Sequence, residues 1–193
     1  MDRPNGARMR AVELRRYTEV ARGTTLQIVQ HLDFAKMTVQ SPDGDWSVAM
    51  VLDHLRQVDE ATARIVGRLA TKAARSSAGS VPSEIEIAYE IDGAPERIMS
   101  YPVFGGMAPG EAIADGSLDR LGASRELLDE SIMQAFATDC SSQRFPHPVV
   151  GPMNAYEWIL FVGLHETGHQ AQMRRILANI AEMPGDGDSG GGV

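Results

Sequence analysis

The sequence predicts an all-α fold, a four-helix bundle, on three observations. Four segments carry apolar residues at the three- and four-residue spacing of a helix face. Each of the four can be given a start or a stop from local helix chemistry. One long stretch, residues 81–110, abandons that period for alternation and so reads as a connection. At 193 residues the chain can bury its own core without disulfides or a second domain. One domain is expected over residues 1–183, followed by a tail, residues 184–193, too polar and glycine-rich to order itself.

The first helix is expected over residues 9–32, with Leu14, Tyr17, Ala21, Thr24 and Ile28 on its inward stripe. It stops ahead of Ser41, Pro42, Asp43 and Gly44, which are turn residues. The second begins at Ser47, whose hydroxyl can accept from a free first-turn amide while Trp46 and Val51 flank it as a hydrophobic staple. Val51, His54, Val58, Ala61 and Ile65 form its inward stripe, and it ends by the small residues 73–79.

Within residues 81–110, Ile85, Ile87, Tyr89 and Ile91 alternate with polar or small residues, as one face of a strand would. Asp92 and Gly93 then supply a hairpin-type turn, and Ile98, Ser100 and Tyr101 are the arm that would pair back, although Pro95 and Pro102 interrupt it. The expectation is a long connection between the second and third helices, with a short β-hairpin, lying over the bundle and shaping a pocket. The third helix is expected over residues 117–137, with Leu118, Leu121, Leu128, Ile132 and Phe136 inward and a gap in the pattern at Arg125. A loop rich in Pro and Gly follows over residues 145–153. The fourth helix has the clearest start: Asn154 as cap, Glu157 as its reciprocal partner, and Met153 against Trp158 as a staple. Its stripe is Trp158, Val162, His165, His169, Met173, Ile176 and Ile180.

Composition removes several classes of function. A formal charge of -8 with the arginines scattered leaves no basic stripe to neutralise a phosphate backbone, so nucleic acid is not an expected partner. No stretch approaches the apolar length needed to span a bilayer, and the polar, arginine-bearing start has no apolar run of a leader. The single cysteine, Cys140, rules out an internal disulfide framework, fits a reducing compartment, and has no neighbour in sequence that would activate its thiol. A cytoplasmic protein is expected.

The chemistry lies with the histidines. Residues four apart on a helix sit one turn above the other, so His165 and His169 can aim imidazole nitrogens at one point. A third ligand has to come from elsewhere. His54 is the natural candidate because it interrupts the apolar stripe of the second helix as the pair does on the fourth; His31, three residues past Ile28, competes for the role. A lone histidine on an apolar stripe is commonly a hydrogen-bonded core residue. Three of the five histidines on inward stripes, two of them at ligand spacing, point instead to a divalent-metal site with open positions for water or substrate. His147, in Phe145-Pro146-His147-Pro148, reads as a loop residue near the mouth of the site. Three imidazoles suit zinc, nickel, copper or iron alike.

The run His165-Glu166-Thr167-Gly168-His169 also matches the H-E-x-x-H helix of zinc proteases, in which the glutamate is a general base. The longer pattern with a third histidine fails beyond Met173, and the preceding elements read as helices where a protease would carry a sheet. Outside that reading Glu166 points away from the histidine face and is a solvated or supporting carboxylate.

Two stretches together resemble a known family. The run Pro146-His147-Pro148-Val149-Val150-Gly151-Pro152-Met153, then Tyr156-Glu157-Trp158, then Leu164-His165-Glu166-Thr167-Gly168-His169-Gln170-Ala171-Gln172-Met173, is similar to the last helix of DinB-like proteins, where a His-x-x-x-His pair is followed by a Gln. Trp46-Ser47-Val48-Ala49-Met50-Val51-Leu52-Asp53-His54-Leu55 is similar to their second helix, which delivers the other His. The resemblance implies an up-down-down-up bundle with His54, His165 and His169 as ligands of a divalent ion, nickel or zinc ahead of iron or manganese. Gln172 then orients a ligand or closes a helix contact. It further implies homodimers and, in characterised relatives, S-transfer or isomerisation with a low-molecular-weight thiol such as bacillithiol or mycothiol. The function expected is therefore a metal-dependent enzyme activating a thiol or water toward a small electrophilic substrate. The alternative is a non-catalytic stress protein braced by its ion, with a fourth ligand from Gln172 or His31.

Overall fold

The computed structural model describes residues 7–40, 46–76, 79–88, 93–103 and 106–183. The expected turn at 41–44, the strand residues Tyr89 and Ile91, Asp92, and the tail 184–193 lie outside them. Four long helices form the bundle: α1 (Ala11–Val29), α3 (Val48–Arg75), α5 (Ser117–Ala135) and α6 (Ala155–Ala181), with short helices α2 (Phe34–Thr38) and α4 (Ala94–Met99) between them. α3 packs on α5 and α6, and α6 packs on α1 and α4. Among the described residues no helix is long and apolar enough to cross a membrane.

The helix starts obey local chemistry. Ser47 Oγ accepts the Met50 amide at 3.2 Å to open α3. Asn154 Oδ1 accepts the Glu157 amide at 2.9 Å, and the Glu157 carboxylate accepts the Asn154 amide at 2.8 Å, which is the reciprocal box expected for α6. The same carboxylate also takes the Ala88 amide at 2.8 Å and Arg144 at 2.9 Å, so this cap anchors two connections as well as a helix. α2 has no apolar period long enough to announce it; Asp33 caps it by accepting the Lys36 amide at 2.8 Å.

The inward stripe of α1 runs Leu14, Thr18, Ala21, Arg22, Thr25 and Val29, rotated by one residue from the expected one. Tyr17, Thr24 and Ile28 are half-buried in consequence. α5 buries Leu121, Leu128 and Ile132 as expected, whereas Leu118 is exposed and Phe136 half-buried; the gap at Arg125 is itself buried. α6 is the central helix, with every residue from Ala155 to Leu164 buried.

The connection after α3 departs from expectation. Ile85 and Ile87 do alternate into the core, but β2 (Ile85–Glu86) pairs antiparallel with β1 (Arg8–Met9), and among the described residues no following arm pairs with it. Of the residues expected to return as a strand, Ile98 lies in α4 and Ser100 caps its end instead. Gly93, at φ 65°, precedes it and Pro95 occupies its first turn, where a missing amide costs nothing. A hairpin does occur, but later: β3 (Phe145–His147) and β4 (Gly151–Met153) pair with Pro146 opposite Pro152, tolerated because a two-stranded ribbon consists of edges.

A buried ionic cluster ties the four long helices together. Arg22 from α1 donates through Nε to Glu166 of α6 at 2.8 Å, through Nη2 to Asp59 of α3 at 2.8 Å, and through Nη1 to the Leu121 carbonyl of α5 at 3.2 Å. Arg125 of α5 lies 3.9 Å from Glu166. All four charged side chains are at least nine-tenths buried. Burial lifts the Asp59 pKa and outweighs the opposing pull of Arg22.

Candidate metal centre

α3 carries His54 inward two turns from its cap, and α6 carries His165 and His169 one turn apart on the side facing α3. The helix-helix packing therefore brings the three imidazoles together. His54 Nε2 and His169 Nε2 each lie 3.2 Å from His165 Nε2. One nitrogen from each ring falls within 4.8 Å of the other two. His31, the competitor, is exposed beyond the end of α1 and takes no part.

Two of the tautomers are fixed by their partners. His54 Nδ1–H donates to the Met107 carbonyl at 2.7 Å, and His169 Nδ1–H donates to Gln172 Oε1 at 2.6 Å. Since those acceptors carry no hydrogen to give, both Nε2 atoms are bare lone pairs aimed at His165. A proton on His165 Nε2 could satisfy one of them well. On His165 Nδ1, which is buried and without a partner among the described residues, it would leave three lone pairs face to face. A cation at the meeting point satisfies all three. A tetrahedral ion binding nitrogen at about 2.0–2.1 Å spaces neighbouring ligand atoms about 3.3 Å apart, which the two 3.2 Å separations match. Histidine ligands donating their other N–H to a carbonyl-type oxygen are the usual support of such a site. The residues therefore fit a divalent ion.

Electrostatics agree with that fit. The His165 pKa lies well below its ordinary value, first through burial and then through the neighbouring His169, His54 and His147. Burial also lowers His54, partly opposed by the Met107 carbonyl. His54 and His165 are thus held neutral, the form that binds metal.

The histidines form the floor of a cavity of about 460 Å³. α3 and α6 supply two walls; Ile98, Met99, Tyr101, Pro102, Val103 and Met107, in and after α4, supply a third, as the sequence suggests; the β3–β4 hairpin supplies the fourth. His147, expected in a loop, ends β3 in that hairpin wall, its ring 4.6 Å from Phe161. Trp46 is more than a staple. Its ring stacks on His169 at 6.0 Å and 10°, and meets His54 at 5.1 Å. Phe161 stacks on His165 at 6.0 Å and 20°.

Glu166 is turned away from this cavity into the Arg22 cluster. It is neither solvated nor placed as the base of an H-E-x-x-H protease. Gly168, a wild card of that motif, serves packing: a Cβ there would lie 2.5 Å from Met99 Cγ and 3.0 Å from the Pro95 carbonyl, so its absence lets α4 dock on α6. Cys140 is buried and its thiol pushed up to about 11 by burial, which makes it inert. The role of Met107 has no sequence signal, because a backbone carbonyl carries no residue identity. Phe161 could have been found as the residue one turn before His165.

Comparison with known proteins gives a consistent picture. A family model described as the DinB superfamily matches residues 17–173, a span that includes all three histidines. The protein YuaE of Bacillus subtilis (strain 168), itself uncharacterized, is 26% identical over 162 residues, covering 83% of this chain and 94% of its own. Among solved structures, TT2238, described as a four-helix bundle protein, superposes with a TM-score of 0.58 at 21% identity, over 86% of this chain and 98% of that one. At that identity the likeness speaks for the fold.

Proposed function

The chain belongs to the DinB superfamily, and on that premise we propose that it is a metal-dependent enzyme. His54, His165 and His169 hold a divalent ion, nickel or zinc ahead of iron or manganese. The reaction transfers a low-molecular-weight thiol, or water, to a small electrophile. The observation that carries this reading is the pair of fixed tautomers aiming bare Nε2 atoms at a third imidazole 3.2 Å away, on the floor of a cavity. Bound there, a divalent ion supplies Lewis acidity that lowers the pKa of a nucleophile sharing its coordination.

The protein's own groups do the rest. The Met107 carbonyl and Gln172 Oε1 hold two rings in orientation, while Trp46 and Phe161 cover ring faces and keep water off them. The walls from α4 and the hairpin confine a substrate against the floor. Three ligands opening on a cavity favour catalysis over a purely bracing ion, because structural sites are saturated. Gln172 spends its oxygen on His169, and His31 is remote, so neither supports a closed fourth position. Exposed Val12 and Val20 on α1, with Leu127 and Met133 on α5, support helix faces through which a homodimer would form.

The test is turnover of 1-chloro-2,4-dinitrobenzene with bacillithiol or mycothiol by nickel- or zinc-loaded protein. Metal-dependent turnover, lost in His169→Ala, is the expected result. Full metal occupancy with no rate above the thiol background would favour the bracing ion.

A further inference from the structure

Taking the cavity to be the substrate site of the function proposed above, we infer that it is built for an uncharged, flat organic molecule, one without carboxylate, phosphate or ammonium. The walls are mostly rings and aliphatic groups, with Trp46, Tyr101, Phe145, Trp158, Phe161 and Ile65 among them, and their other polar members, Thr62 and Gln172, are uncharged. Trp158 and Phe161, both lining the cavity, meet edge-on at 6.0 Å and 69°, and rings of this kind favour a planar, aromatic guest. Among the described lining residues none is Asp, Glu, Lys or Arg. The nearby charges are engaged elsewhere. Glu166 is paired with Arg22 on the far side of α6, Asp53 is paired with Arg56, and the Arg68 guanidinium rests 5.9 Å from the Phe145 ring without lining the cavity.

His147 adds one polar contact without adding charge. Its Nδ1 accepts the amides of Val149 at 3.2 Å and Val150 at 3.1 Å, so the ring is neutral and its hydrogen sits on Nε2, the far edge from those amides. Away from the histidine floor a charged guest would surrender its hydration and meet no side chain of opposite sign among the described lining residues, whereas a neutral planar guest loses only apolar contact with water. A carbonyl-type acceptor on the guest can take the His147 N–H. The volume, about 460 Å³, lies in the range of small-molecule sites. In the proposed reaction this guest is the electrophile; a charged thiol would approach from the mouth.

The test is isothermal titration calorimetry of three matched probes, 2-acetylnaphthalene, 2-naphthoate and 2-naphthylmethylammonium, against the full chain as purified and after chelator treatment. The deciding comparison is made on chelator-treated protein, where a cation cannot attract the carboxylate. At least tenfold tighter binding of the ketone than of either ion is expected. Equal or tighter binding of 2-naphthoate would overturn the proposal. Ile65→Arg, on a half-buried wall position, is the second arm: it should raise 2-naphthoate affinity at least tenfold, and no change would place the probe outside this cavity and overturn the assignment. Metal content measured in parallel separates the two readings, since a chain found without metal can still prefer the ketone, and a metal-loaded chain can still fail to.

Discussion

Replacing Arg22 with methionine tests what holds the bundle together. The guanidinium is 8% exposed and bridges Asp59 and Glu166 at 2.8 Å each, and both carboxylates are 2% exposed or less. Arg22→Met keeps most of the side-chain volume but leaves two buried carboxylates with only the distant Arg125, 3.9 Å from Glu166, as a counter-charge. Removing one partner of a buried pair costs about 3–5 kcal/mol. For a domain of this size that is roughly 6–20 °C in Tm, at about 2–4 °C per kcal/mol. The sign with pH is also fixed. Without the cation the lift that burial gives the Asp59 carboxylate loses its main opposition, so its folded pKa stands further above its unfolded one, near about 4. A group with a raised folded pKa contributes stability that is complete below the unfolded pKa and lost as pH rises through the folded pKa. The deficit against wild type should therefore be largest at neutral pH and shrink toward about pH 4. Urea denaturation followed by circular dichroism at several pH values measures both. A deficit under about 1 kcal/mol, or one independent of pH, would refute the reasoning. Glu166→Gln should likewise destabilise while leaving metal content unchanged.

Gly168→Ala should cost about 1–2 kcal/mol, the overpacking of Cβ against Met99 and the Pro95 carbonyl being partly offset by helix propensity, and adding Met99→Ala should recover part of it in urea denaturation. Gln172→Leu removes the acceptor of His169 Nδ1–H and is expected to weaken metal affinity about 10–100-fold in competition with a chromophoric chelator, with little change in fold. In metal-free protein, burial lowers His54, His147 and His165, so the folded state resists protonation at these rings. The stability they contribute is complete above the unfolded histidine pKa of about 6.5 and is lost as pH falls below it; unfolding free energy that stays level between about pH 7.5 and 5.5 would contradict this.

What sequence reveals, and what it hides, follows from the range of each interaction. The caps at Ser47 and Asn154 are legible because donor and acceptor sit three residues apart. The His165–His169 clamp is legible because four residues make one turn. The stripe of α1 reads one residue off because its true core positions include Thr18, Thr25 and Arg22, polar types that resemble surface. The ambiguity between His54 and His31 arises from that same rotation. Arg22 cannot be seen as buried, since its partners come from α3, α5 and α6, each distant in sequence. The alternation at Ile85 and Ile87 is real, but its partner, residues 8–9, lies at the other end of the chain. Pro95 reads in sequence as a breaker of a returning strand, yet it sits in the first turn of α4, where proline is welcome.

The claim on which the rest depends is that three imidazoles from two helices share one cation. Elemental analysis of protein purified without a metal-affinity tag measures it directly, with wild type beside His54→Ala and His169→Ala. About one divalent ion per wild-type chain, falling at least tenfold in each folded variant, is the result expected. Equally low metal in all three, after the wild type has been offered nickel and zinc, would contradict it.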